Sequence, residues 1–183
     1  MKNNKLVILL FVAVAIIQLA APLFMAWHWE DVLQTGQRFY WQTAPVDPYD
    51  AFKGRYIDLR FKETSGPVLD KENLEYGQTA YAVIQANADG QATISGVSAK
   101  QPTAFPYVKV KMLYIENNTA HVELPFKRYY LPENMATAAE SAYRESAGKT
   151  GIAAIRLKDG YGVIEQLYID DKSLEDYLSE NRR

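Results

Sequence analysis

The beginning of this chain constrains it more than any other stretch. From Leu6 to Ala26 about 21 residues pass without a charge, and only Gln18 interrupts the apolar run. At 1.5 Å per residue, a helix of that length crosses a hydrocarbon layer of about 30 Å. Lys2 and Lys5 precede the run, whereas Glu30 and Asp31 follow it. A basic flank on one side only predicts a cytoplasmic N-terminus, with the remainder on the far side of the membrane. A cleaved signal peptide is the competing reading, because a basic n-region and an apolar core belong to both. Leu19-Ala20-Ala21 is followed at once by Pro22, a poor residue just after a cleavage point, so an uncleaved anchor is the expectation. Trp27, His28 and Trp29 then read as an interfacial aromatic belt, with a ligand-stacking cluster as the alternative.

Residues 1–29 are thus expected to be a cytoplasmic N-terminus and transmembrane anchor, and residues 30–183 a single extracytoplasmic domain. A remainder of about 155 residues is an ordinary size for one domain with its own core. The chain has no cysteine, which excludes disulfides, thiolate catalysis and Cys-ligated metals. His28 and His121 are its only imidazoles, and His28 lies at the membrane edge, so neither a metal site nor any cofactor is expected. The formal charge of −2 becomes about −4 once the two anchor lysines are set aside, with acids and bases interspersed. Lacking a basic patch to neutralise phosphates, the chain is not expected to bind nucleic acid.

The hydropathy pattern predicts a mainly β, α+β domain: antiparallel, hairpin-rich, with one packed helix. Three pairs of β-rich segments flank tight-turn signals. Tyr81–Gln85 and Ala92–Val97 surround Asp89-Gly90, Val108–Ile115 and Thr119–Leu124 surround Asn117-Asn118, and Ile152–Leu157 and Tyr161–Ile169 surround Asp159-Gly160. Val108, Val110 and Met112 alternate with Lys109 and Lys111, and the lysines read as protection of an exposed sheet edge. Pro132 to Glu145 is rich in helix formers and is closed by Gly148. Ser173 opens a short terminal helix as its cap, with acids in the first turn. Lys62 to Gly77, which contains Gly66-Pro67, reads as a connection holding one helical turn near Asp70–Leu74.

The clearest single strand follows a rigid turn. Pro45-Val46-Asp47-Pro48 cannot be helical, and Asp47, Asp50 and Gly54 are turn formers. From Tyr56 the pattern alternates, with Ile57, Leu59 and Phe61 on one face and Tyr56, Asp58 and Arg60 on the other. The motif Gly54-x-Tyr56-x-x-Leu59-x-Phe61, preceded by Pro45-x-Asp47-Pro48, resembles the signature of the GDYXXLXY family of bacterial membrane-anchored proteins. Arg55 stands where that signature has Asp, and Phe61 where it has Tyr. A second block, Tyr129-Tyr130-Leu131-Pro132-Glu133, is similar to the family's later aromatic-Pro-Glu segment. The resemblance implies a membrane-anchored envelope protein and names no activity.

Candidate chemistry is sparse. No Gly-x-Ser-x-Gly elbow, phosphate-cradling glycine loop or His-Glu-x-x-His helix is present. A serine–lysine pair, Ser98 with Lys100 or Lys109, supports an alternative reading as a signal-peptidase-like hydrolase. Asp58 with Glu133 is a conceivable carboxylate pair, but the aromatic residues carry more weight. Tyr56 is structural if the Pro132–Glu145 helix covers it and is displayed if not, and the binding candidates are Asp47, Tyr56, Asp58, Tyr130 and Glu133. The expected role is non-enzymatic: an interaction or assembly module of the bacterial cell envelope. Its partners would be membrane lipid along Leu6 to Ala26 and another envelope protein, multispanning ones included, with the oligomeric state open.

Overall fold

The computed structural model describes residues 2–44, 56–69 and 74–180. It opens with α1 (Lys2–Thr35), a helix of 34 residues that runs through Pro22. This helix is long and apolar enough to cross a membrane, and none of its apolar window is buried within the protein. It continues well past Ala26, and its last turns dock on the domain. Val32 is 1% exposed. The Lys158 ammonium donates to Asp31 Oδ2 at 2.6 Å and to Thr35 Oγ1 at 2.8 Å. The Tyr161 ring stands edge-on to His28 at 4.7 Å and to Trp29 at 5.8 Å. Two of the three residues of the expected aromatic belt therefore also fasten the helix to the domain, and Trp27 stays exposed.

The strands in chain order are β1 (Gln37–Ala44), β2 (Tyr56–Asp58), β3 (Arg60–Phe61), β4 (Ser65–Pro67), β5 (Thr79–Ala86), β6 (Ala92–Ser98), β7 (Tyr107–Glu116), β8 (Thr119–Glu123) and β9 (Arg128–Tyr130). After α2 (Glu133–Ser146) come β10 (Ile152–Lys158), β11 (Tyr161–Ile169), β12 (Lys172–Ser173) and α3 (Leu174–Glu180). One sheet has the order β12-β11-β10-β1-β3, a second β4-β8-β7-β5-β6, and β2 and β9 form a ribbon. The pairings are antiparallel throughout these sheets. All three hairpins form around the expected turn residues, but at Asp89-Gly90 only the glycine takes a positive φ, 75°, in a wider loop where Asn87 Oδ1 accepts the Asp89 and Gln91 N–H groups. Asn117 and Asn118 take φ of 48° and 65°, and Asp159 and Gly160 take 51° and 83°, the mirror-image turn whose twist matches that of the flanking strands.

The second sheet curls until its outer strands meet. Leu69 N–H donates to Val97 O at 2.9 Å, and Val68 bridges Val97 in parallel, so β4 nearly closes a small barrel against β6. Strand β4 lies inside the stretch read as a connection, because Gly66-Pro67 looks like a breaker. The glycine is instead what lets β4 approach: a Cβ on Gly66 would sit 2.5 Å from Ile94 Cγ2. The reading of Lys109 and Lys111 as edge protection is incorrect. Strand β7 lies between β8 and β5 in the middle of the sheet, and alternation shows the lysines pointing away from the core without showing which neighbours a strand has.

The inward set Ile57, Leu59 and Phe61 is buried as predicted. The strand divides at Leu59, however: β2 pairs with β9, whereas β3 pairs with β1. Leu59 N–H donates to Lys127 O at 2.6 Å and holds the crossing. Helix α2 begins one residue after Pro132 and buries Ala139, Ala142 and Tyr143. The Tyr143 hydroxyl accepts the Arg60 N–H at 3.2 Å and donates to Ala44 O at 3.4 Å, pinning the point where β1 and β3 meet. Burial pushes its phenol pKa up. Helix α3 is capped by Ser173, whose Oγ accepts the Asp176 N–H at 3.1 Å. One core unites both sheets and α2, with Trp41 at its centre among Phe39, Phe61 and Phe126. The expected turn at Pro45–Gly54, including Asp47, and most of the expected helical turn at Asp70–Leu74 lie outside the described residues.

Candidate functional site

Ribbon register assembles three of the five candidate residues. Tyr56 stands opposite Tyr130, and Asp58 opposite Arg128. Because side chains directly across an antiparallel pair share a face, all four project from one side. The Tyr56 and Tyr130 ring centroids are 5.7 Å apart, and the Arg128 guanidinium lies 4.7 Å from the centre of the Tyr56 ring. Arg128 Nε is also 3.6 Å from Asp58 Oδ1. Tyr130 is 66% exposed. Tyr56 is half-buried, so it is both ordered by its neighbours and partly displayed. Glu133 opens α2 three residues beyond Tyr130. Arg128 was not among the sequence candidates. The signal was its place immediately before Tyr129-Tyr130, but only pairing register puts it on the face of Tyr56.

On the opposite face of the ribbon, buried Tyr129 donates its hydroxyl to Gln166 Oε1 at 3.4 Å, and burial raises its phenol pKa. Both residues line an open cleft of about 880 Å³. The segment from Glu123 to Tyr130 and Gly162 to Gln166 of β11 line it, and Lys109, Lys111 and Trp29 contribute as well. Strand β11 starts at Tyr161 against Trp29 and reaches Gln166 beside Tyr129, about 17 Å at strand spacing. The cleft therefore links the end of the long helix to the aromatic ribbon. A second hollow of about 600 Å³ lies beside it, and Asp58 and Arg128 line both.

Glu165, in the cleft wall, is clamped by two guanidinium groups. Arg38 donates to it at 2.7 and 2.5 Å, and Arg156 at 2.9 and 3.0 Å. The hydrogen bonds from Arg38, then those from Arg156, hold its carboxyl pKa down to about 2 despite an opposing desolvation. Arg156 also donates to Gly36 O at 3.0 Å, so the clamp reaches the exit of α1. A carboxylate with a depressed folded-state pKa contributes stability that is complete above its ordinary value and is lost as pH falls through the depressed one. Glu165→Gln is therefore expected to destabilise by about 1–2 kcal/mol at neutral pH. In denaturant titrations the gap between variant and parent should close as pH drops from about 4.5 toward 2. A gap that persists unchanged at the acid end would refute the assignment. Elsewhere in the cleft, the Lys127 ammonium beside Glu123 holds that carboxyl below its usual range.

The two lysines stand differently toward Ser98. Ser98 Oγ accepts the backbone N–H of Lys100 at 2.9 Å, a local turn at the end of β6. Ser98 and Lys109 both pair with Tyr81 from opposite sides, which separates their backbones by two strand spacings, about 9.5 Å. The Lys109 ammonium sits over the Tyr161 ring, 4.3 Å from its centroid. Among the described residues, no three metal-ligating side chains converge.

No curated protein and no solved structure matches the chain. A family model, described as GDYXXLXY protein, matches residues 18–167. That span runs from the long helix through the ribbon and cleft to the far end of β11. At Phe61, where the family signature has Tyr, the ring packs edge-on to Trp41 at 6.5 Å and Phe126 at 5.6 Å, a setting that an aromatic body fills without a hydroxyl. With most of its length matched, this chain belongs to the GDYXXLXY family.

Proposed function

We propose that this protein is a single-pass, membrane-tethered interaction module of the bacterial cell envelope, non-enzymatic, with its N-terminus in the cytoplasm and its β domain on the other side. Its partner is another envelope protein, and multispanning proteins fit best, since they offer loops within reach of a domain held at the bilayer. The observation that carries this reading is the Tyr56–Arg128–Tyr130 stack. An aromatic and cationic face that is exposed, yet already ordered by cross-strand pairing, gives up little side-chain freedom on binding, and Tyr and Arg are enriched at binding hot spots. The hollows on either side of the Asp58–Arg128 ridge suit an irregular protein surface better than an enclosed small molecule. Tethering raises the effective concentration, so a patch of modest affinity suffices.

The chain has no cysteine, so a single introduced one is uniquely addressable. Asp89→Cys, at the β5–β6 turn, should react with a membrane-impermeant maleimide in spheroplasts, and a failure to label without permeabilisation would reverse the orientation. A photo-crosslinking amino acid at Tyr130 should give one discrete adduct with a membrane protein. Arg128→Ala, which unstacks Tyr56, should cut its yield by about tenfold, the weight of a typical hot-spot residue. Diffuse adducts insensitive to Arg128 would count against the proposal.

A further inference from the structure

The apolar run of α1 stops at Ala26 while the helix itself continues to Thr35. At 1.5 Å per residue, Trp29 stands about 4.5 Å beyond the hydrocarbon boundary, within a headgroup layer roughly 5–7 Å thick. Tyr161 packs on His28 and Trp29 and is therefore held at the same depth. Lys109 extends over Tyr161, which brings its ammonium to that level as well. The nearest acid on the same helix face, Asp31, is neutralised by Lys158. Glu30 lies about 200° around the helix from His28 and points away from the domain. Trp29 and Lys109 both line the cleft, so this part of its lining lies at the level of the headgroup layer.

We propose that Trp29, Tyr161 and Lys109 form a contact site for the phosphate group of an anionic lipid in the membrane that α1 spans. The indole and phenol rings lie among the glycerol and headgroup regions, at the level where the ammonium meets the phosphate. Lys111, two residues along the same strand face, extends the positive wall into the cleft, although its cross-strand neighbour is Glu123, which is already engaged by Lys127. The site differs from the ribbon face proposed for a protein partner, and it rests on the reading of α1 as a membrane anchor. It also explains why a lysine in the centre of a sheet is directed outward over an aromatic ring.

The test uses the full-length chain in phosphatidylcholine vesicles doped with photoactivatable phosphatidylglycerol or photoactivatable phosphatidylcholine, both carrying the reactive group in the headgroup. Phosphatidylglycerol adducts should map to β7 and to the start of β11. Lys109→Gln should lower their yield by about fivefold, the weight of one basic residue at an anionic surface, and Lys109→Arg should retain it. Lys149→Gln serves as a control at the far end of β1, where the Lys149 carbonyl accepts the Gln42 side chain, and should leave the yield unchanged. Equal labelling by the two lipids, or indifference to Lys109→Gln, would overturn the proposal. Full competition by excess free glycerol phosphate would assign the site to a soluble phosphate and overturn the lipid source. Loss of the chain from the vesicles on alkaline extraction would remove the anchor and this site together, whereas retention with no headgroup preference would remove this site alone.

Discussion

Replacing Trp41 with alanine should lower the stability of the folded domain by about 3–5 kcal/mol, as expected for emptying a site filled by a buried aromatic. Trp41 is fully buried on β1, with the rings of Phe126, Phe39 and Phe61 at 5.3, 6.2 and 6.5 Å. Its cross-strand partner is Ala153, small enough to leave the indole room. The indole N–H is itself buried without an acceptor among the described residues. Trp41→Phe therefore loses volume but also relieves an unsatisfied donor, and should cost only about 1–2 kcal/mol. Denaturant titration of the detergent-solubilised chain, followed by circular dichroism, separates the two. If phenylalanine and alanine destabilise equally, the packing account of this centre is wrong. The alanine effect is large against a typical total stability of about 5–15 kcal/mol.

Gly66→Ala should come next in effect, at about 2–3 kcal/mol, with the melting temperature falling by roughly 4–12 °C. The added methyl would lie 2.5 Å from Ile94 Cγ2 and 2.6 Å from Ile94 O, and a carbonyl oxygen in a paired strand cannot step aside. The contact closes β4 onto β6, so relief requires the barrel to open there. Gly96→Ala is the informative companion. The three atoms nearest its methyl would all belong to the end of the Leu69 side chain, at 2.4 to 2.6 Å, and Leu69 is exposed and able to swing away. A smaller loss is expected at Gly96 than at Gly66, and the reverse order in thermal unfolding would show that the closure lies elsewhere.

Much of this architecture was legible in the residues because it is decided locally. Two of the hairpin turns follow from the pairs Asn117-Asn118 and Asp159-Gly160, which take positive φ, and α2 follows from a run of helix formers with Glu140 and Arg144 one turn apart, which pair at 3.1 Å. The inward faces of β2, β3 and β7 follow from period-two alternation. Strands β4 and β9 were missed for the same reason: three residues each, one containing Gly-Pro, they have too little pattern of their own and exist only because β8 and β2 pair with them. The docked end of α1 was also hidden. Nothing in Trp27-His28-Trp29 distinguishes a ring turned to lipid from one resting on Tyr161, some 130 residues away.

The candidate site shows the same division. Tyr56, Asp58 and Tyr130 could be picked out as displayed aromatic and acidic residues in two motif blocks, yet their union and the addition of Arg128 depend on β2–β9 register. A long apolar helix ahead of a hairpin-rich β domain without cysteine can be read along the chain alone, since hydrophobic length, alternation and turn chemistry are properties of neighbouring residues. The approach of β4 to β6 at Gly66, the central place of β7 and the cleft from the helix end to the ribbon emerge only in the folded chain. Those outcomes depend on which distant strands pair, and pairing is set by the burial of a shared core, to which no single segment holds the key.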